Sequence, residues 1–250
     1  PQDPQFFDSN SIFLTPSFLE SLEASASVGN KAGWLPFYLI ALQNKKLVGF
    51  MPIYIKEHSY GEYVFDWAWA DAFHRNGLNY YPKLLCAVPF TPLTGQRILA
   101  NDETIKKQML NGLEAILKNN HLSSCHILFL NKNDHLLFKE QGWMTRKGVQ
   151  FKWKNNSYKS FEDFLAFLSH NKRKKIRQER AKIKKTNIEI LQKTGSQIEQ
   201  QDIEFFYECY CNTYSQHHSR PYLTREFFNE LYKKIPDRLL IIIAKSNKKN

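Results

Sequence analysis

The chain has 250 residues, 42% of them hydrophobic and 24% charged, with a formal net charge of +11. That is ample apolar content for two cores, and no run of about 18 apolar residues is present to span a membrane. Cys86, Cys125, Cys209 and Cys211 lack the spacing of a zinc or redox site, so free thiols in a reducing compartment are expected, and with no apolar leader after Pro1 the expected location is cytoplasmic.

Pro16–Ala24 is predicted helical, with Phe18, Leu19 and Leu22 on one side and Thr15 as its cap. Leu35–Leu42 and Leu47–Ile55 read as strands joined by the polar turn 43–46. Tyr60–Arg97 then packs nine aromatic side chains into 38 residues, among Glu62, Asp66, Asp71, Arg75, Lys83 and Arg97. Read as a strand, its first part puts Tyr63, Phe65, Trp67 and Trp69 on one face and Glu62, Val64, Asp66, Ala68 and Ala70 on the other. Two readings stand: rings and placed polar groups lining a crevice, or an aromatic rim of the core with solvated charges. Leu84–Val88 is predicted as a further strand, and Asn101 as the cap of a helix carrying Ile105, Met109, Leu113, Ile116 and Leu117. Cys125–Leu130 reads as a strand, Asp134 opens a short helix that Gly142 ends, and Val149–Lys154 alternates as a half-buried strand does.

A boundary is expected near Asn155–Ser157, dividing the chain into domains 1–156 and 157–250. Ser160 caps a helix on Phe161, Phe164, Leu165 and Leu168 that runs on toward a basic segment. Between Lys172 and Lys185 lie nine Lys or Arg and one acid, Glu179, a local net of +8. This segment is either a solvated helix face or a surface for tRNA, another polyanion or an anionic membrane, and Lys172, Arg173, Lys174, Lys175, Arg177 and Arg180 are its candidate contacts. A strand at Ile188–Leu191, helices opened by Asp202 and Thr224, and the apolar strand 239–244 follow. One side of that last strand lacks a partner, so the second domain is expected to be incomplete, with Ser246–Asn250 resembling a hairpin turn.

The order of elements resembles the GNAT acetyltransferase fold, and Phe138–Trp143 is similar to its aromatic-x-x-x-Gly-aromatic turn. Longer strings carry a closer resemblance: SVGNKAGWLPFYLIAL, LVGFMPIYIKEHSYGEYVFDWAWADAF, YYPKLLCAVPFTPLTGQRIL, KRKKIRQERAKI and SRPYLTREFF. From about Phe13 to Ala244 the chain resembles FemAB-like predicted N-acyltransferases. The resemblance implies a mixed α/β, tandem GNAT-like acyl-CoA N-acyltransferase fold. It also implies an acyl or aminoacyl donor, acyl-CoA or aminoacyl-tRNA, meeting an amine acceptor such as a peptidoglycan precursor in a cleft.

The chain departs from the GNAT pattern at the donor loop, where Thr91–Arg97 offers a single glycine. Thr91, Thr94 and Arg97 can hold a phosphate or carboxylate, or the segment is a structural turn. Asp66 and Asp71 are the candidate catalytic carboxylates, as general base or as a grip for the substrate ammonium; strand-end hydrogen bonding is the alternative. Lys83 and Arg97 suit an anionic acceptor. Tyr63, Trp67, Trp69, Tyr80 and Tyr81 offer hydroxyls and stacking surfaces, or pack in the core. Arg220 and Tyr222 belong to the SRPYLT string and are candidate cleft residues. No metal site is expected, since His217-His218 has no acids at ligand spacing. No nucleophile–base pair stands out, so transfer would proceed by positioning and oxyanion stabilisation. The rival class is a non-catalytic RNA- or anionic-surface-binding module on the same scaffold.

Overall fold

The computed structural model describes residues 11–186 and 188–246. In chain order the elements are α1 (Pro16–Ala24), β1 (Trp34–Pro36), β2 (Leu39–Gln43), β3 (Lys46–Met51), β4 (Tyr54–Lys56), α2 (Trp67–Arg75) and β5 (Lys83–Cys86). Then come β6 (Leu99–Ala100), α3 (Glu103–Asn119), β7 (Cys125–Ile127), α4 (Lys132–Glu140), α5 (Phe161–Phe167) and α6 (His170–Lys184). The last are β8 (Ile188–Thr194), α7 (Gln200–Gln216), α8 (Arg225–Lys234) and β9 (Leu240–Ser246). The class is mixed α/β, as expected.

Two compact units form, residues 1–144 with 199–236, and residues 145–198 with 237–250. They interleave along the chain, where the sequence reading divides it once, after residue 156.

In the first unit, Asn44 and Lys45 take φ values of 51° and 66°, the left-handed pair that closes a tight hairpin between β2 and β3. Both long strands of this hairpin are interrupted, one at Phe37-Tyr38 and the other at Pro52-Ile53. Pro52 has no N–H to give the ladder, so the chain changes sheets there. Phe37 N–H still donates to Ile53 O at 2.8 Å across the break. One half of the ribbon joins the sheet β2-β3-β6, the other the sheet β1-β4-β5-β7, in which β5 and β7 run parallel.

The core lies where α3 and α4 cover these strands: Met109, Leu110 and Leu113 meet Met51, Ile53, Leu84, Cys86, Ile98, Leu137 and Phe138. Each such side chain, fully buried, stabilises the fold by roughly 1.5–3 kcal/mol. Asp102, not Asn101, caps α3, its side chain accepting from Ile105 N–H at 2.8 Å. On the other flank α8 packs on α1, with the Phe18 and Phe227 rings 5.8 Å apart. Thr224 caps α8 as expected, and its hydroxyl donates to Ser25 O at 3.0 Å.

Two expected strands are absent. Residues 62–70 form a turn running into α2, because Gly61 and Tyr63 take left-handed φ values of 79° and 57° that no strand tolerates. Ala68, Ala70 and Ala72 then favour helix, which ends at Asn76-Gly77. Residues 149–154 pair with no strand among the described residues, and Phe151 is 99% exposed. Alternation alone is insufficient when no neighbouring ladder takes up the backbone N–H and C=O groups. The second unit holds the antiparallel pair β8–β9, registered Leu191 opposite Ile243, together with α5 and α6. Leu168 is extended, at ψ 157°, so α5 and α6 are separate helices. The turn expected at the C-terminus lies, beyond Ser246, outside the described residues.

Candidate functional site

Behind the aromatic turn of the first unit sits a buried cluster of four charges. Lys56, Glu62, Asp66 and Lys83 are each 3% exposed or less. Lys83, opening β5, places Nζ 2.5 Å from Asp66 Oδ2 and 2.9 Å from Glu62 Oε2, and donates to Ser59 Oγ at 2.8 Å. The Tyr80 hydroxyl donates to Asp66 Oδ2 at 2.7 Å and lies 3.3 Å from His126 Nε2. Lys56, closing β4, sits 4.0 Å from the Trp34 ring centroid and donates to Tyr60 O at 3.4 Å. Glu62 Oε1 and Asp66 Oδ1 accept no hydrogen bond among the described residues.

Burial and pairing act differently on the four groups. Burial pushes the Lys56 ammonium down to about 7, against the pull of Glu62. Burial raises Glu62, with Lys83 pulling back. Asp66 is also raised by burial, but hydrogen bonds from Lys83, Tyr80 and Ser59 outweigh that and hold it below the usual carboxylate range. Asp66 is therefore the firmly ionised acid, and Glu62 the acid that more readily keeps a proton.

The outer side of this turn is aromatic. Tyr60, Tyr63, Phe65, Trp67 and Trp69 are exposed, Phe65 by 77%. Tyr60 and Trp67 contact at 5.4 Å between centroids. The end of α7 and the loop after it close on the same turn: the Tyr214 and Tyr63 hydroxyls interact, and Tyr222 reaches the Gly61 backbone while stacking on Phe90 at 5.1 Å. At Gly61 an added Cβ would lie 2.6 Å from the Phe90 ring, so this close approach requires glycine as much as the positive φ does.

Several predicted residues sit elsewhere than expected. Asp66 does not occupy an open strand face; it is sealed against Lys83, whose single ammonium is shared between Asp66 and Glu62, since a buried carboxylate is stable only beside a partner charge. Lys83 is likewise spent on internal acids and is not presented to an acceptor. Arg97 is 1% exposed, its guanidinium donating to Leu128 O and Gln96 O at 2.9 Å each and to Leu93 O at 2.5 Å. It anchors the 91–97 loop from inside, aided by Asp134, whose Oδ2 accepts from Arg97 N–H at 2.6 Å. Thr91 donates to Pro89 O at 3.2 Å, a turn contact, and Thr94 is half-buried. Asp71 is exposed on α2 and pairs with Arg75 at 3.0 Å. Tyr80 is buried, and Tyr81 is half-buried with its hydroxyl 2.8 Å from Ser59 Oγ. Tyr222 does reach the turn, while Arg220 is exposed beside it in the chain. In the second unit, Lys172, Lys174, Lys175, Arg177 and Arg180 are exposed on α6 and Arg173 is half-buried.

Lys56, Ser59, Glu62 and Tyr214 are the members that sequence reasoning passed over. Charge balance was the available signal, because two lysines closing and opening apolar strands need acids, and Glu62 and Asp66 lie between them. Among the described residues no group of three or more His, Cys, Asp or Glu could hold a metal ion, and no helix is long and apolar enough to cross a membrane.

No curated protein matches the chain. A solved structure titled "Crystal structure of FemX" is similar at 11% identity and a TM-score of 0.42, over 90% of this chain and 50% of that one. The chain thus spans about half the length of that protein. The model of the FemAB_like family, described as peptidoglycan biosynthesis/recognition, matches residues 3–250. The chain belongs to the FemAB-like family.

Proposed function

We propose that this chain moves an acyl or aminoacyl group onto an amine of a peptidoglycan precursor. The observation that carries the reading is an exposed aromatic turn, residues 60–69, fixed from behind by the Lys83–Asp66–Glu62 cluster, in a chain of this family. Rings on a rigid turn provide contact area that loses little entropy on binding. Tyr63, Trp67, Trp69, Arg220 and Tyr222 are the substrate contacts in this reading. The tandem GNAT-like arrangement of domains 1–156 and 157–250, an acyl-CoA or aminoacyl-tRNA donor and a cytoplasmic location belong to the same proposal.

In the reaction the acceptor nitrogen attacks the donor carbonyl carbon and a tetrahedral oxyanion forms. The C–S or C–O bond to the carrier then breaks; the amine proton passes to a base and the leaving group takes one up. Of the two candidate carboxylates Asp71 is the one that solvent reaches and is assigned that proton; Asp66 is a positioning residue that holds the turn. Incubating the chain with a precursor and either donor, and weighing the acceptor by mass spectrometry, tests the reading. One acyl or aminoacyl increment is expected, with a rate about a hundredfold lower in Asp71→Asn. No increment with either donor overturns it.

A second reading is favoured by α6, which buries none of its fifteen residues and carries the basic segment. In it the helix contacts a polyanion through phosphate groups, whether or not the chain is catalytic. Affinity for a polyanion that does not change with salt counts against it.

A further inference from the structure

Residues 145–156 of the second unit belong to no helix or strand, and every one of them is exposed. Within this stretch Val149, Phe151 and Trp153 alternate with Gln150, Lys152 and Lys154. Val149 is 87% exposed and Trp153 67%. A protein surface seldom carries a row of apolar side chains this bare unless something covers it. An alternating ribbon hides one face and engages its N–H and C=O groups in a ladder only beside a further strand.

The ribbon is tethered at its end. The Trp153 ring meets Phe164 of α5 edge-on at 6.0 Å, and Tyr158 meets Phe164 and Phe167 at 5.6 and 6.0 Å. Asn155 Oδ1 accepts from Tyr158 N–H at 2.8 Å, closing a turn where the extended run stops. Through Trp153 the apolar side chains of the ribbon thus join the rings of α5.

Charge specifies the neighbour. In sequence the second unit holds nineteen Lys or Arg against five Asp or Glu, a net of +14, while the first unit carries −3. A second copy of the ribbon would bring two such positive fields together. In a ladder, directly opposed residues point to the same side. Lys152 and Lys154 therefore require acids opposite them, and Phe151 and Trp153 require apolar side chains. A bilayer would accept the rings and lysines, but it offers no regularly spaced carbonyls to an extended backbone.

We propose that residues 149–154 are a docking strand for an acidic protein segment, which adds beside them as an extended strand with apolar and acidic residues in alternation. The proposal is independent of acyl transfer and of any phosphate contact on α6.

The test uses the full chain and three capped synthetic octapeptides: Val-Glu repeated four times, a fully N-methylated copy of it, and Val-Lys repeated four times. The first is expected to bind, the copy at least about tenfold more weakly because it keeps charge and side chains but has no N–H to donate, and the third not at all. Hydrogen exchange followed by NMR should slow at alternate amides of 149–154 when the first peptide is added. Lys152→Glu/Lys154→Glu, at two exposed positions, should weaken the acidic peptide about tenfold and admit the Val-Lys one. Equal binding of the first peptide and its N-methylated copy overturns the strand and leaves only attraction between charges. Absence of binding overturns the proposal outright. Anionic lipid vesicles that bind this ribbon and that the acidic peptide cannot displace overturn it in favour of a membrane, and a dimer that persists in excess peptide overturns it in favour of a second copy.

Discussion

Lysine does opposite work in the two units. Lys56 and Lys83 of the first are buried and surrounded by acids, rings and hydroxyls that were folded around them. The lysines of α6 in the second stand in water; Lys175, 78% exposed along its side chain, meets Glu179 at 4.0 Å. An interior ammonium is costly unless paired, so it fixes structure. An exterior one contributes little to folding and remains available to a ligand. Composition counts both alike, which is why a net charge of +11 describes neither region.

The same substitution in both places sharpens the contrast. Lys83→Met strands Glu62 and Asp66 in the interior and is expected to cost about 3–5 kcal/mol in urea unfolding. A far smaller loss would mean that the two acids find water, and the contrast would fail. Asp134→Ala removes the acceptor of Arg97 N–H and should cost about 1–3 kcal/mol by the same measurement. Asp163→Ala on α5, which removes the acceptor of the exposed Lys159 N–H just ahead of that helix, should cost less than about 1 kcal/mol.

Acidity gives a third probe. Lys56, held down to about 7 by burial, has an ordinary value of 10.5 in the unfolded chain. Between those values the unfolded chain carries the extra proton, so stability should rise as pH climbs through that window. Glu62, raised by burial above its ordinary 4.5, works the other way, so the readout is a difference. Melting temperature should gain more between pH 7 and about pH 9 in the wild type than in Lys56→Met. Identical slopes would remove Lys56 from the interior. The smallest effect belongs to Lys175→Met, within about 0.5 kcal/mol of wild type.

Much of the scaffold was legible in the residues. α1, the hairpin at Asn44-Lys45, α3, α5, α7 and α8 announce themselves through periodicity, caps and turn chemistry, which are local signals. The segment after Tyr60 misled because alternation of rings and small residues over 62–70 suits a strand, while the left-handed Gly61 and Tyr63 are imposed by packing against Phe90 and Tyr214. Val149–Lys154 alternates equally well, yet strand formation depends on a neighbour that the segment itself does not encode. Of the site, Asp66, Lys83 and Tyr80 stand out in the sequence as polar groups among rings, but that they turn inward and meet one another does not. Whether an acid faces inward is settled by a lysine 17 residues away, and that is tertiary information.

The crease at Pro52 makes one ribbon serve both sheets, so alignment along β2 and β3 dictates which atoms β4 delivers to the interior. Strand side chains alternate, and slipping this ribbon by a single residue would turn the Lys56 ammonium to the opposite face of the sheet, where Ile55 packs on the apolar core. Two acids would then lose one neighbouring positive charge without any contact of theirs having been mutated. The two-residue bend at Asn44-Lys45, remote in sequence from every proposed ligand contact, is in this sense a setting for the electrostatics beneath the aromatic turn.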